Sequence, residues 1–273
     1  MKVFKKFAGI LLIVCFMVSM VAFAACGRGE GGVELKPGER VASEQEWQSA
    51  FDNVFNADNF TVKGARENTM TSGNKSYRAN TNGKVFCDIK NKKFLMEKTT
   101  ANNYPEAIIE DNSPNSTLMF PAGTFVSYCE ARDFNFWTCE NGNDGWDALI
   151  MFSSDNEEIF EEQIKYWIST YALMTTVNSI DDDGDWQSIK YLFSKFQYED
   201  GYYVSEKLPV YGADAIFKVS IKDGSIAGIS YTMTYGNMVD TCTQIICDVN
   251  STTVNTPQGA NEAIVSASAA KAQ

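Results

Sequence analysis

Apolar residues recur along this chain at two periods. Trp47, Ala50, Phe51, Val54 and Phe55 return at steps of three and four behind the capping box Ser43-Glu-Gln-Glu46, which predicts an amphipathic helix to about Ala57. The step then falls to two. Segments 60–67, 75–81, 84–90 and 93–99 alternate as half-buried strands. Val85, Cys87 and Ile89 give one of these an apolar face, with Lys84, Asp88 and Lys90 mostly opposite. Asn82-Gly83, between two such segments, is a strong signal for a tight hairpin. Residues 100–122 are polar, hold Pro105, Pro114 and Pro121, and read as a long loop. Strands resume at 123–130 and 134–139, and Asn141-Gly-Asn-Asp-Gly145 reads as a turn.

Ser154, with Glu157 three residues on, signals a second helix whose stripe is Phe160, Ile164, Trp167, Ile168, Tyr171 and Met174. After the acidic run Asp181-Asp-Asp-Gly-Asp185, the spacing of Trp186, Ile189, Leu192, Phe193 and Phe196 predicts a third. Strands follow at 197–206, 214–222, 225–235 and 239–249, with Asp223-Gly224 as a hairpin turn. From Asn255 the chain turns polar and then Ala/Ser-rich, and residues 255–273 read as a disordered tail. The order is helix, meander, two helices, meander. It predicts a single α+β domain over 43–254: one large antiparallel sheet with about three helices on one face and the other face in water.

The N-terminus follows neither period. Met1-Lys-Val-Phe-Lys-Lys6 is basic, Phe7 to Ala25 is apolar apart from Ser19, and the run ends Phe23-Ala24-Ala25-Cys26. This resembles the bacterial lipobox, with Phe23 where Leu, Val or Ile is commoner. The resemblance implies that residues 1–25 are a signal peptide, cut between Ala25 and Cys26, and that Cys26 carries diacylglycerol on its sulfur. A spanning anchor and an ordinary secretory peptide cut near Ala25 are the other readings. All three place the domain outside the cytoplasmic membrane, and dual acylation gives stable anchoring that one chain would not. Residues 26–42 then read as a flexible tether. Its formal G-x-G-x-x-G at Gly27, Gly29 and Gly32 lacks the preceding strand a dinucleotide site needs.

Composition narrows the chemistry. The 273 residues are 44% hydrophobic, enough for a substantial core, and the net charge is −12. A field of that sign repels a phosphate backbone, so nucleic acid is a poor partner. There is no histidine, which removes Ser-His-Asp and Cys-His catalysis and every His-ligated metal site. Of the cysteines beyond Cys26, Cys87, Cys129, Cys139, Cys242 and Cys247 are odd in number and have no C-x-x-C spacing. Most read as small buried apolar side chains. Cys129 and Cys139 flank a turn and are the pair placed to meet across a hairpin; Cys242 and Cys247 fall on opposite faces of one strand. The 181–185 run fails as an EF-hand loop, since Lys190 stands where a bidentate Glu is required. Ser72-Gly-Asn-Lys75 matches S-x-x-K but sits in a predicted turn without companion motifs. No cofactor, metal or catalytic residue is expected.

The layout as a whole carries a further resemblance. Trp47 and Phe51 on a first helix, Asn59-Phe60-Thr61 opening a meander, helices inserted mid-domain, Tyr202-Tyr203, Lys222-Asp223-Gly224 and Ser251-Thr-Thr-Val-Asn-Thr-Pro257 resemble the LolA/LppX-type lipoprotein superfamily. The likeness spans about 43–257 and is one of layout, without a diagnostic motif. It implies a curved half-barrel closed by helices around an apolar cavity that takes a lipid or other apolar molecule. The helices offer Trp47, Phe51, Phe55, Phe160, Trp167, Tyr171, Trp186 and Phe193 to the sheet, either as the walls of such a cavity or as plain core. A lipid-anchored carrier, a surface interaction protein with a filled core, and, least favoured, a carboxylate hydrolase are the functions these readings allow.

Overall fold

The computed structural model describes residues 33–104, 122–142, 145–178, 186–210 and 212–271. Ala25 and Cys26, most of the 100–122 loop and the acidic run 181–185 lie outside them. Helix α1 (Glu44–Phe55) begins where the capping box sets it: the Ser43 hydroxyl accepts from Glu46 N, and the Glu46 carboxylate accepts from Ala42 N. Strands β1 (Asn59–Ser72), β2 (Lys75–Asp88), β3 (Lys93–Asn102), β4 (Gly123–Arg132), β5 (Asn135–Gly142) and β6 (Gly145–Ser153) follow as a meander. Helix α2 (Glu157–Trp167) continues into a π-helical turn (Ile168–Ala172), the short pair β7 (Thr176–Asn178) and β8 (Trp186–Ser188), and two 3-10 turns at Ile189–Tyr191 and Phe193–Lys195. Strands β9 (Phe196–Glu199), β10 (Tyr202–Ser205), β11 (Leu208–Val210), β12 (Ala213–Lys222), β13 (Ser225–Tyr235) and β14 (Met238–Cys247) complete the sheet.

Its order is β6-β5-β4-β3-β2-β1-β14-β13-β12-β10-β9, with β11 paired to β12. Pairing of β1 with β14 welds the two meanders together, and β6 and β9 remain as edges, so the twelve antiparallel strands form an open, half-barrel-like α+β fold. Alternation sorts the side chains to two faces. Phe60, Val62, Val85, Cys87, Phe94, Met96, Cys129 and Phe136 point inward, toward α1 and α2, and share one core with them. Their neighbours Phe86, Leu95, Tyr128, Trp137 and Cys139 point outward. No helix among the described residues is long and apolar enough to cross a membrane.

Several local expectations are corrected. The chain turns at Gly73 (φ 59°), not at Asn82-Gly83, which pair in mid-β2 with Ala65 and Gly64; the earlier turn sets Phe60 and Val62 beside Cys87 and Val85 on the buried face. Helix α2 is capped by Asn156 rather than Ser154, its side-chain oxygen accepting from Ile159 N. The stretch from Trp186 to Phe196 is strand and 3-10 turn instead of a third helix. There Ser188 Oγ accepts from Lys190 N, and the Trp47 indole donates to Lys190 O at 2.9 Å, so side chains take backbone groups a helix ladder would have used. Cys129 faces inward beside Thr138 and Cys139 outward beside Tyr128, so the two cannot bridge; all five described cysteines are free.

The third helix is at the C-terminus, and on the other face. Helix α3 (Ala260–Lys271) lies across β5 and β6, with Ala260 and Ile264 buried on Tyr128, Trp137 and Cys139. The Ala-rich stretch read as a disordered tail is this helix, which Ala favours. Tyr128 Oη meets Thr256 Oγ1 at 2.9 Å and Val254 is buried, which fastens the approach to it.

The tether is also partly fixed. Tyr202 Oη donates to Leu35 O at 2.8 Å and Ser220 Oγ to Lys36 O at 2.7 Å. Gly38 N then donates to Gly201 O at 2.7 Å and Glu39 N to Ile221 O at 2.6 Å. Val41 N donates to Tyr203 Oη at 2.7 Å. Tyr202 faces outward and Tyr203 inward, so the segment crosses the sheet from outer to inner face between the ends of β10 and β12, which pair only at Tyr203–Val219 and Val204–Lys218. A Cβ at Gly38 would lie 2.3 Å from Ile221 O, which is why glycine stands at the crossing.

Candidate functional site

Seven of the eight aromatic residues expected along the helices fall into the inner core or against it, in two nests. Trp47 is fully buried, with ring centroids 5.1 Å from Phe51, 4.9 Å from Phe196, 5.1 Å from Tyr203 and 5.7 Å from Phe193. Trp167 packs 4.8 Å from Phe94, 5.3 Å from Phe136 and 5.7 Å from Tyr171, and Phe160 lies 5.7 Å from Phe152. Phe55 is partly buried against the same core. Trp186, half-buried, stands on β8. Contacts of this kind add about 0.5–1.5 kcal/mol per pair beyond burial; these rings hold the helices to the sheet.

Further along β1, β2 and β3 the inner face changes character. On β1, Phe60 and Val62 give way at the same parity to Gly64, Arg66 and Asn68; on β3, Phe94 and Met96 give way to Lys98 and Thr100. Arg66 and Asp240 form a buried pair, Nε to Oδ1 at 2.7 Å and Nη2 to Oδ2 at 2.5 Å, and Tyr231 Oη donates to Asp240 Oδ2 at 3.2 Å. Burial opposes the Arg66 charge, but Asp240 and then Tyr231 outweigh it, and the guanidinium stays firmly protonated. Tyr104 Oη donates to Asn68 Oδ1 at 2.5 Å, and Thr81 and Thr100 join hydroxyls at 2.9 Å.

Lys98 is treated differently. It is 3% exposed, and none of the ion pairs among the described residues includes it. Its Nζ lies 4.1 Å from the centre of the Phe125 ring. Desolvation lowers its pKa to about 7; Glu140 acts upward and Arg66 downward. The row across the sheet through Lys98 reads Gln244, Gly64, Gly83, Lys98, Phe125, so two adjoining strands present bare backbone beside it. Glycine inside a strand marks a place where a ligand or another chain segment comes close.

Four buried polar atoms of the described residues lack a hydrogen-bond partner: Asn68 Nδ2, Ser127 Oγ, Gln163 Oε1 and Trp167 Nε1. Ser127 faces inward on β4, two positions from Phe125 and directly opposite Met96. Along β3 and β4 the inner face therefore carries a lane from the Trp167 nest past Ser127 to Lys98, with Glu140 of β5 directly opposite Ser127. Among the described residues no three Cys, Asp or Glu side chains are grouped to hold a metal.

Arg66, Asn68, Lys98, Ser127 and Asp240 were not singled out from sequence. The legible signal was parity: each charge falls in phase with apolar neighbours, where an exposed residue belongs out of phase.

No family model matches the chain, and no curated protein does. Among solved structures it superposes on LprF from Mycobacterium bovis, with 8% identity, 79% of this chain and 96% of that one covered, and a TM-score of 0.28. A hypothetical protein, CT021 from Chlamydia trachomatis, gives 8% identity, 79% and 97% coverage, and a TM-score of 0.25. Overlaps this low establish neither shared ancestry nor shared function.

Proposed function

We propose that this chain is a lipid-anchored domain, carried outside the cytoplasmic membrane on Cys26, that binds an amphiphilic molecule on the inner face of its half-barrel. The observation that carries the reading is the inner face itself. An apolar floor of Val62, Val85, Phe94 and Met96 runs into a buried lane that ends at a lysine in no ion pair among the described residues. Burying a CH₂ group is worth about 0.8 kcal/mol, so a short acyl chain along that floor binds usefully.

The reading is of a binder rather than a catalyst. The two buried acids among the described residues, Glu130 and Asp240, lie on opposite faces, and each is paired with an arginine, which weighs against a two-carboxylate hydrolase. A second reading, an interaction protein with a filled core, is favoured by the close packing of Trp47 and Trp167 in their nests.

Native mass spectrometry of the full chain, extracted from membranes of expressing cells, separates the two. The expected result is a bound amphiphile at one per chain and loss of membrane retention in Cys26→Ala. Ligand-free protein from repeated preparations would leave the filled-core reading standing.

A further inference from the structure

We propose that Lys98 and Ser127 form a subsite for a single anionic head, phosphate or carboxylate, on that amphiphile, an inference that rests on the binding reading above. Three features of this corner of the sheet fit it. Lys98 supplies a buried ammonium over the Phe125 ring, in no ion pair and with Glu140 acting on it only from beyond ion-pair distance, whereas Arg66, the other deeply buried cation among the described residues, is already neutralised by Asp240. Ser127 supplies an inward hydroxyl with no nitrogen or oxygen partner, only the Cys129 sulfur near it, on the strand whose Phe125 lies directly opposite Lys98. The residues leading to them on the same face, Met96 and Phe94, are apolar.

Burying donors without an acceptor costs about 1–3 kcal/mol each, and more for a charge. An anion recovers that cost and a neutral head does not. The charge also fits the overall balance: in a chain of net −12, a local cationic pocket is what lets a negative molecule stay.

Isothermal titration of the full lipid-anchored chain in phosphatidylcholine nanodiscs, with empty discs as blank, tests this using octyl phosphate, octanol and inorganic phosphate. Octyl phosphate is expected to bind at least tenfold tighter than octanol, with inorganic phosphate weaker than either. Lys98→Met is expected to abolish the preference for octyl phosphate over octanol, and Lys98→Arg to keep most of it; thermal transitions of both variants check folding. Equal binding of octyl phosphate and octanol to the wild type, or a preference that survives in Lys98→Met, overturns the subsite and leaves the binding reading intact. Inorganic phosphate binding as tightly as octyl phosphate overturns the link between head and tail. If neither alkyl compound binds, both readings fall together.

Discussion

Arg66 and Lys98 show two fates of a buried cation on one sheet. The Arg66 guanidinium has a bidentate carboxylate in Asp240, itself held by Tyr231. Removing one partner leaves the other charged and dry, so Asp240→Ala should destabilise the domain by about 3–5 kcal/mol, while replacing both by apolar residues should restore most of that. Urea midpoints of the single and double variants check it. Lys98 has no such partner, and its pKa in the fold, about 7, lies below the usual 10.5. The unfolded chain therefore binds more protons between those values, and stability from this group rises with pH across that window and is lost as pH falls to 7. Glu140 and Arg66, the charges that act on it, pull in opposite directions. Lys98→Met should be more stable than the wild type at pH 6.5, with the gap narrowing toward pH 8.5; an unchanged gap in midpoints would sink this assignment.

At the scale of elements, the sequence was legible wherever local pattern and tertiary demand agreed. The capping box at Ser43, the alternation in 84–88 and the turn at Asp223-Gly224 all stand in the structure, because each is decided by neighbours in sequence; the strand read to 90 ends at Asp88. Where a distant partner decided, the reading shifted. Asn82-Gly83 is a good turn sequence, but the register with β1 and β3 keeps it extended. The 186–196 stripe has helical spacing, yet the Trp47 indole takes the Lys190 carbonyl. The C-terminal segment lacked a strong stripe, so neither its helix nor its docking on the outer face could be read from spacing. The candidate site was hidden for a related reason: Lys98 and Arg66 look like ordinary surface charges until strand parity puts them inside. Helix α3 gives a direct test. Cys139 lies beneath it with a pKa raised to about 11, desolvation being the main cause. A chain ending at residue 258 should expose Cys139 to iodoacetamide, while Cys87, Cys129 and Cys242 stay protected on the inner face; peptide mass spectrometry reads the difference, and a still-protected Cys139 would argue that α3 does not shield it.

Over the whole molecule, two meanders are joined at β1 and β14 into one open sheet, covered on the inside by α1 and α2 and on part of the outside by α3. The N-terminal segment is built into this framework as the strap that slips between β10 and β12. If Cys26 is the acylated residue, nine residues of chain connect it to Leu35, where the strap is fastened to Tyr202. Nine residues reach at most about 32 Å, less than the roughly 40 Å breadth of a domain this size. A domain on so short a leash would patrol the surface of its own bilayer with no means of ferrying cargo across a gap, and any molecule it took up would have to be handed to a neighbour that came to it.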